Sequence, residues 1–277
     1  PDSPIWFRWL GRLAAPLFFY ALAVGFHHTR NRKKYLLRLY LANVGMVFFN
    51  QIMRMLQRKL DYVVYEPTNH NIFTTLFCAG VLICIWENRK EKKKFLTYIG
   101  IYIFWQAMLI KLAILVETYD YLWYGNARLE TVLRTDYIFP LLGGIWDVEG
   151  GVFFIALGVC LYCAVEDRWK LTLYYILFCG TYLLMCEGDI LYRIMNRFSF
   201  WGYHKLADII YVGSWSTGIP LGTSDLSLLT EFYQWMMIGA LPIMLSCNGK
   251  RGKSLKWLFY AAYPLQFLVL YGISYYK

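Results

Sequence analysis

Apolar residues in this chain gather into long runs instead of alternating with polar ones, and short stretches dense in lysine and arginine separate the runs. Crossing the hydrocarbon core of a bilayer as a helix takes about 20 mostly apolar residues. Eight segments approach that length: residues 5–26, 36–53, 71–86, 95–116, 150–165, 171–186, 229–246 and 256–275. The third, fifth and sixth are short, so their ends must run into flanking polar residues or the bilayer must thin around them. Two further segments, 137–149 and 205–221, are apolar and aromatic but broken by Pro140, Gly143, Gly144, Gly213, Gly218 and Pro220. They are expected as re-entrant or interfacial pieces, with one a candidate ninth span. The pattern predicts an all-α, multi-pass integral membrane bundle of about 8–9 transmembrane helices, a single domain over residues 1–277.

Composition agrees, since 58% hydrophobic and 19% aromatic residues lie far outside the soluble range. The net charge of +10 does not point to nucleic acid, because the cations fall in clusters between apolar runs and not along one soluble face. Seven cysteines, most of them inside apolar runs, imply no disulfide framework. Cys160 and Cys163 form a C-x-x-C without a second ligand pair, and no spacing of His, Asp or Glu suggests a metal. Neither a Walker loop nor a nucleotide-type glycine fingerprint is present, which sets ATPase readings aside.

Cationic loops face the cytoplasm. With the N-terminus outside, the first, third, fifth and seventh connections are cytoplasmic, and "HTRNRKKY", "ENRKEKKK", "EDRWK" and "NGKRGKSLK" carry four, five, two and four cations. An outside N-terminus leads to the expectation of one more span upstream of Pro1.

The first of these connections puts a titratable base beside phosphate-capable donors. In "GFHHTRNRKKYLLRL", His27 and His28 precede Arg30, Arg32, Lys33, Lys34 and Arg38, with Lys34 and Arg38 one helical turn apart. Two readings stand: an ordinary basic anchor, or a site for a multiply phosphorylated cosubstrate with an imidazole to take a proton. On the same face, "SCNGKRGKSLKW" offers Asn248, Lys250 and Arg251 in a glycine-flanked turn. Inside the membrane, charge is costly and informative. Arg8 and Arg12 share one face of the first span and call for acidic partners, Asp147 and Glu149 first and Glu187 and Asp189 next, either as a structural ion pair or as an acceptor site. Lys111 in "AMLIKLAIL" reads as another buried cation.

The run "GRLAAPLFFYALAVGFHHTRNRKKYLLRLYLANV" (residues 11–44) resembles the early core of the TraX family, and "GALPIMLSCNGKRGKSLKWLFYAAYPLQFLVLYGI" (residues 239–273) is similar to its closing loop and helix. "NHNIFTTLFCAGVLI" resembles the family's Asn-led third helix, while "DVEGGV" matches loosely. The chain departs from the family where Val24 replaces a Glu and Gln266 a His. The resemblance implies an acetyl-CoA-dependent acetyltransferase of the bacterial cytoplasmic (inner) membrane, whose best-known member acetylates the N-terminal amine of a pilin. It implies His28, with His27 second, as base, and Arg30, Arg32, Lys33, Lys34, Arg38, Asn248, Lys250 and Arg251 on the CoA phosphates. Arg12, Asp147 and Glu149 then line an acceptor cavity. The expected partners are membrane lipids and an acetyl acceptor, with no nucleic acid and no metal. A hydroxyl of an envelope glycan or lipid-linked sugar is the alternative acceptor, and a non-catalytic transporter or scaffold the alternative class. No inverted repeat supports transport.

Overall fold

The computed structural model describes residues 5–60, 71–124, 137–145, 148–187, 197, 233–247 and 256–275. All secondary structure in them is helical. The α-helices are α1 (Ile5–His28), α2 (Arg32–Leu60), α3 (Ile72–Glu87), α4 (Lys92–Tyr124), α5 (Phe139–Leu142), α6 (Gly151–Ala164), α7 (Arg168–Glu187), α8 (Ala240–Ser246) and α9 (Lys256–Tyr275). Short 3₁₀ turns cover Asn88–Lys90 and Tyr233–Gly239.

Wherever the eight apolar runs fall in described residues they are helical, and among the described residues four helices are long and apolar enough to cross a bilayer by themselves: Trp9–His28, Arg32–Leu56, Ile72–Lys90 and Lys92–Val116. The described residues thus hold four candidate spans and shorter apolar helices, against the 8–9 spans expected. The seventh run is not one α-helix, since a 3₁₀ turn leads into α8. The segment 205–221 lies outside the described residues, as do Asp147, Asp189, Asn248, Lys250 and Arg251 and the side chains of Arg8 and Glu187.

The core forms around α3. Ten of its residues, from Ile72 to Ile85, are buried around the whole circumference, as expected of a helix apolar on every side. It packs on α2, α1 and α6. Gly158 on α6 allows the closest approach, because a Cβ there would lie 2.9 Å from the Ala79 Cβ and 3.0 Å from Phe19 Cδ1. By contrast, α4 sits at the periphery and turns Leu96, Ile101, Ile103, Phe104, Ile114 and Leu115 outward, the face that lipid covers. Lys111 is on its exposed side and not buried; a long stem lets its ammonium reach along the helix surface toward water.

The segment broken by Pro140, Gly143 and Gly144 enters the bundle, as its punctuation suggested. Backbone without regular helix is tolerated at membrane depth only when protein groups satisfy it, and here they do. Tyr40 donates to the Leu141 carbonyl (3.0 Å), Asn43 Nδ2 to the Pro140 carbonyl (2.6 Å), Trp105 Nε1 to the Leu142 carbonyl (2.9 Å) and Gln106 Nε2 to the Gly143 carbonyl (3.0 Å). Gln106 Oε1 accepts from the Ile145 N–H (3.1 Å). Gly143 closes α5 at φ 70°, a left-handed conformation open to glycine.

Candidate functional site

The first, third and fifth connections meet at one end of the bundle. Asn31 caps α2 by accepting the Lys34 N–H at 3.0 Å. Arg32, the first residue of α2, turns back over the end of α1, donating through Nη1 to the carbonyls of Phe26 and Thr29, the latter at 2.5 Å. Its other edge makes a two-point pair with Glu87 at the end of α3, Nη2 to Oε1 at 2.8 Å and Nε to Oε2 at 3.3 Å. Tyr162 on α6 donates to the same Glu87 Oε1 at 2.7 Å. The guanidinium thereby ties three helix ends together, and Glu87 brings in α6 through Tyr162. After α6, Asp167 caps α7 through the N–H groups of Trp169 and Lys170; the Lys170 N–H above all holds its carboxyl below the ordinary range. The seventh connection begins on the same side, where Cys247 lies beside Tyr20.

His27 is engaged at this end. Its ring stacks on Tyr162 at 4.5 Å, Nε2 lies 2.9 Å from the Tyr162 carbonyl and Nδ1 lies 3.1 Å from Glu166 Oε1. Both ring nitrogens face acceptors and are thus engaged within the fold. His28 is exposed and has no hydrogen-bond partner among the described residues. Arg30, Lys33, Lys34 and Arg38 are exposed too, with Arg38 lying near Tyr260. The sequence-derived set thus divides: His27 and Arg32 hold the helix ends, while His28, Arg30, Lys33, Lys34 and Arg38 stay available to a ligand.

A second cluster lies deep in the bundle. Tyr263 of α9 donates its hydroxyl to Glu149 Oε2, and Thr75 of α3 donates to the Glu149 carbonyl at 2.8 Å. Arg12 of α1 acts electrostatically on the same carboxylate, so the residue pair expected from buried charge is brought together. Local sequence places these groups: Gly150 and Gly151, at φ 77° and 63°, turn the chain into α6 immediately after Glu149. Proline at 16 in α1 and at 264 in α9 removes one helical N–H beside each of the other two members. Phe18, Phe73 and Phe267 pack edge-on around the Tyr263 ring, making an apolar wall.

Next to it runs a buried amide network. Asn43 Oδ1 accepts from Asn71 Nδ2 (2.7 Å) and Thr74 Oγ1 (2.7 Å). These bonds orient the Asn71 amide, and its Oδ1 is buried without a hydrogen-bond partner. A half-buried carboxylate and guanidinium beside the buried Tyr263 phenol, against an apolar wall, make a setting suited to handling a proton. The two sites are far apart, because α1 rises about 24 Å from Arg12 to His28 at about 1.5 Å per residue. His28 and Glu149 therefore cannot touch the same reacting atoms. Among the described residues, no group of three or more His, Cys, Asp or Glu is placed to hold a metal.

A protein-family model described as "TraX protein" matches residues 2–141, and no curated protein and no solved structure matches the chain. The matched half carries α1 to α4, the basic turn, Arg12, the amide network and the entry of the broken segment.

Proposed function

The chain belongs to the TraX family, and from that premise we propose that it is an acetyl-CoA-dependent membrane acetyltransferase acting on an amine of a pilin or another envelope-associated peptide. The observation that carries this reading is an exposed cationic connection at one end of α1 and, about 24 Å along that helix, the half-buried Arg12 and Glu149 beside the buried Tyr263. Arg30, Lys33, Lys34 and Arg38 are free to meet the pyrophosphate and 3′-phosphate of CoA, joined from the second basic turn by Asn248, Lys250 and Arg251. His28 stands beside these phosphates.

The acceptor amine binds at the deep cluster, where the Asn71 carbonyl takes one of its N–H bonds. Glu149 is the base in this reading, and His28 serves the donor end. The amine nitrogen attacks the thioester carbon, a C–N bond forms as the C–S bond breaks, the amine proton passes to the Glu149 carboxylate, and the thiolate leaves as CoA. Arg12 and Tyr263 restrain that carboxylate, and Arg12 offsets charge that develops on the thioester oxygen. A hydroxyl acceptor would use the same step with oxygen in place of nitrogen.

Purified protein incubated with labelled acetyl-CoA and a panel of peptide amines and glycan hydroxyls tests the reading. Glu149→Gln is expected to lower kcat by about 10²- to 10⁴-fold while CoA binding is kept. A combined Arg30→Gln and Lys34→Gln change is expected to weaken CoA binding and leave the deep cluster intact. Absence of CoA binding in the unaltered protein would overturn the enzyme reading in favour of a transporter or scaffold. Unchanged turnover in Glu149→Gln, with turnover lost in His28→Ala, would return the base to His28.

A further inference from the structure

Between α2, α3 and α4 lies an open cleft of about 380 Å³ that neither site above uses. Its walls come from single helix faces. Val81, Ile85 and Asn88 project from α3 at spacings of four and three, and Tyr98, Ile101 and Trp105 from α4 at spacings of three and four. Leu36 closes the α2 side. The lining is almost wholly apolar, and its seven-residue extent along each helix is about 10 Å, against about 15 Å for one leaflet of the hydrocarbon core. The cleft therefore opens to lipid along most of one leaflet.

Asn88 is at its polar mouth, and the chain continues there into Arg89, Lys90, Lys92, Lys93 and Lys94, all exposed. Two of the five cations are occupied, Lys94 by Glu91 at 2.7 Å and Arg89 over the Trp86 ring at 5.2 Å. Lys90, Lys92 and Lys93 have no ion-pair partner among the described residues. Lys33 stands one turn before Leu36 on the opposite wall. An occupant must be apolar inside the membrane and anionic at its surface. A soluble anion meets only the second condition, and an uncharged lipid only the first.

We propose that this cleft binds one anionic phospholipid, with an acyl chain between α3 and α4 and the headgroup phosphate on Lys90, Lys92 and Lys93. The site is independent of the acetyl-transfer reading and stands or falls without it.

The full chain in detergent micelles, supplied with equal phosphatidylglycerol and phosphatidylcholine and examined by native mass spectrometry, is expected to retain one phosphatidylglycerol at about fivefold or greater preference. Ile101→Trp fills the cleft from its lipid side, where Ile101 is 61% exposed, so the core is left alone; it should release both lipids. The combined change Lys90→Gln, Lys92→Gln and Lys93→Gln lies on an exposed turn and should bring the two lipids to equal retention. Equal retention in the unaltered protein, or undiminished phosphatidylglycerol in Ile101→Trp, overturns the proposal. So does competition by glycerophosphoglycerol, which has the headgroup without acyl chains, as effective as that by the whole lipid.

Discussion

Arg32 illustrates how one side chain acquires its role from its surroundings. In sequence it is one of five cations beside two histidines; in the fold it bonds two carbonyls at the end of α1 and both oxygens of Glu87. Arg32→Ala would leave a partly buried carboxylate paired only with Tyr162 and the end of α1 uncovered. It is expected to lower stability by about 2 kcal/mol, within the range for hydrogen bonds to charged groups, read as earlier thermal unfolding in detergent. Arg30→Ala, one turn away and exposed, should leave the unfolding temperature unchanged. Equal effects of the two changes would show that the Glu87 pair does not brace the helix ends. Asn43 is comparable in the deep network: Asn43→Leu strands the Pro140 carbonyl and the Thr74 hydroxyl and leaves the Asn71 amide only the residue-43 backbone carbonyl. It is expected to destabilise by about 3 kcal/mol, and a stability loss under about 1 kcal/mol would mean these groups find other partners.

At the scale of elements, the bundle depends on close contact where α6 meets α3 and α1. Gly158→Val puts a branched side chain where a single Cβ already lies 2.9 Å from the Ala79 Cβ. Overpacking of this kind costs about 1–3 kcal/mol. Gly180 on α7 has nothing within 4 Å of its Cβ direction, so Gly180→Val, a control with the same added volume, should remain close to the parent apart from the lower helix propensity of valine. The ratio of folded to aggregated protein after mild heating measures both. The short α5 segment is stable for a different reason. Its free carbonyls are taken by Tyr40, Asn43, Trp105 and Gln106, so an element with little helical bonding of its own persists because two longer helices, α2 and α4, supply the missing donors.

For the whole molecule, the meeting of α1–α2, α3–α4 and α6–α7 at one end makes a topological prediction. Single cysteines at Lys33, Lys92 and Arg168, in a chain whose seven native cysteines are replaced by serine, should all react with a thiol reagent from one side of the membrane. The excess of lysine and arginine predicts that side to be cytoplasmic, so an impermeant reagent added to intact cells should spare all three. Labelling of Lys92→Cys from outside, with Lys33→Cys protected, would break the shared end on which the proposed donor site rests. The same arrangement separates the proposed donor and acceptor sites by most of the membrane thickness, which is why the proposal gives the transfer step to the deep cluster and not to His28.

Hydropathy and charge are local properties that neighbouring residues decide together, so the eight helical runs, the broken segment at 137–149 and the cationic connections were all legible along the chain. Arg12 with Glu149 was legible too, because a charge at membrane depth requires an opposite one and few candidates exist. Tertiary structure decided what depends on residues distant in sequence. Arg32 meets Glu87 across 55 positions, His27 meets the Tyr162 carbonyl across 135, and Tyr263 meets Glu149 across 114. Those pairings separate the cations and histidines that brace the helices from those left for a ligand, since a side chain's availability is set by whether the fold has already filled its hydrogen-bonding positions.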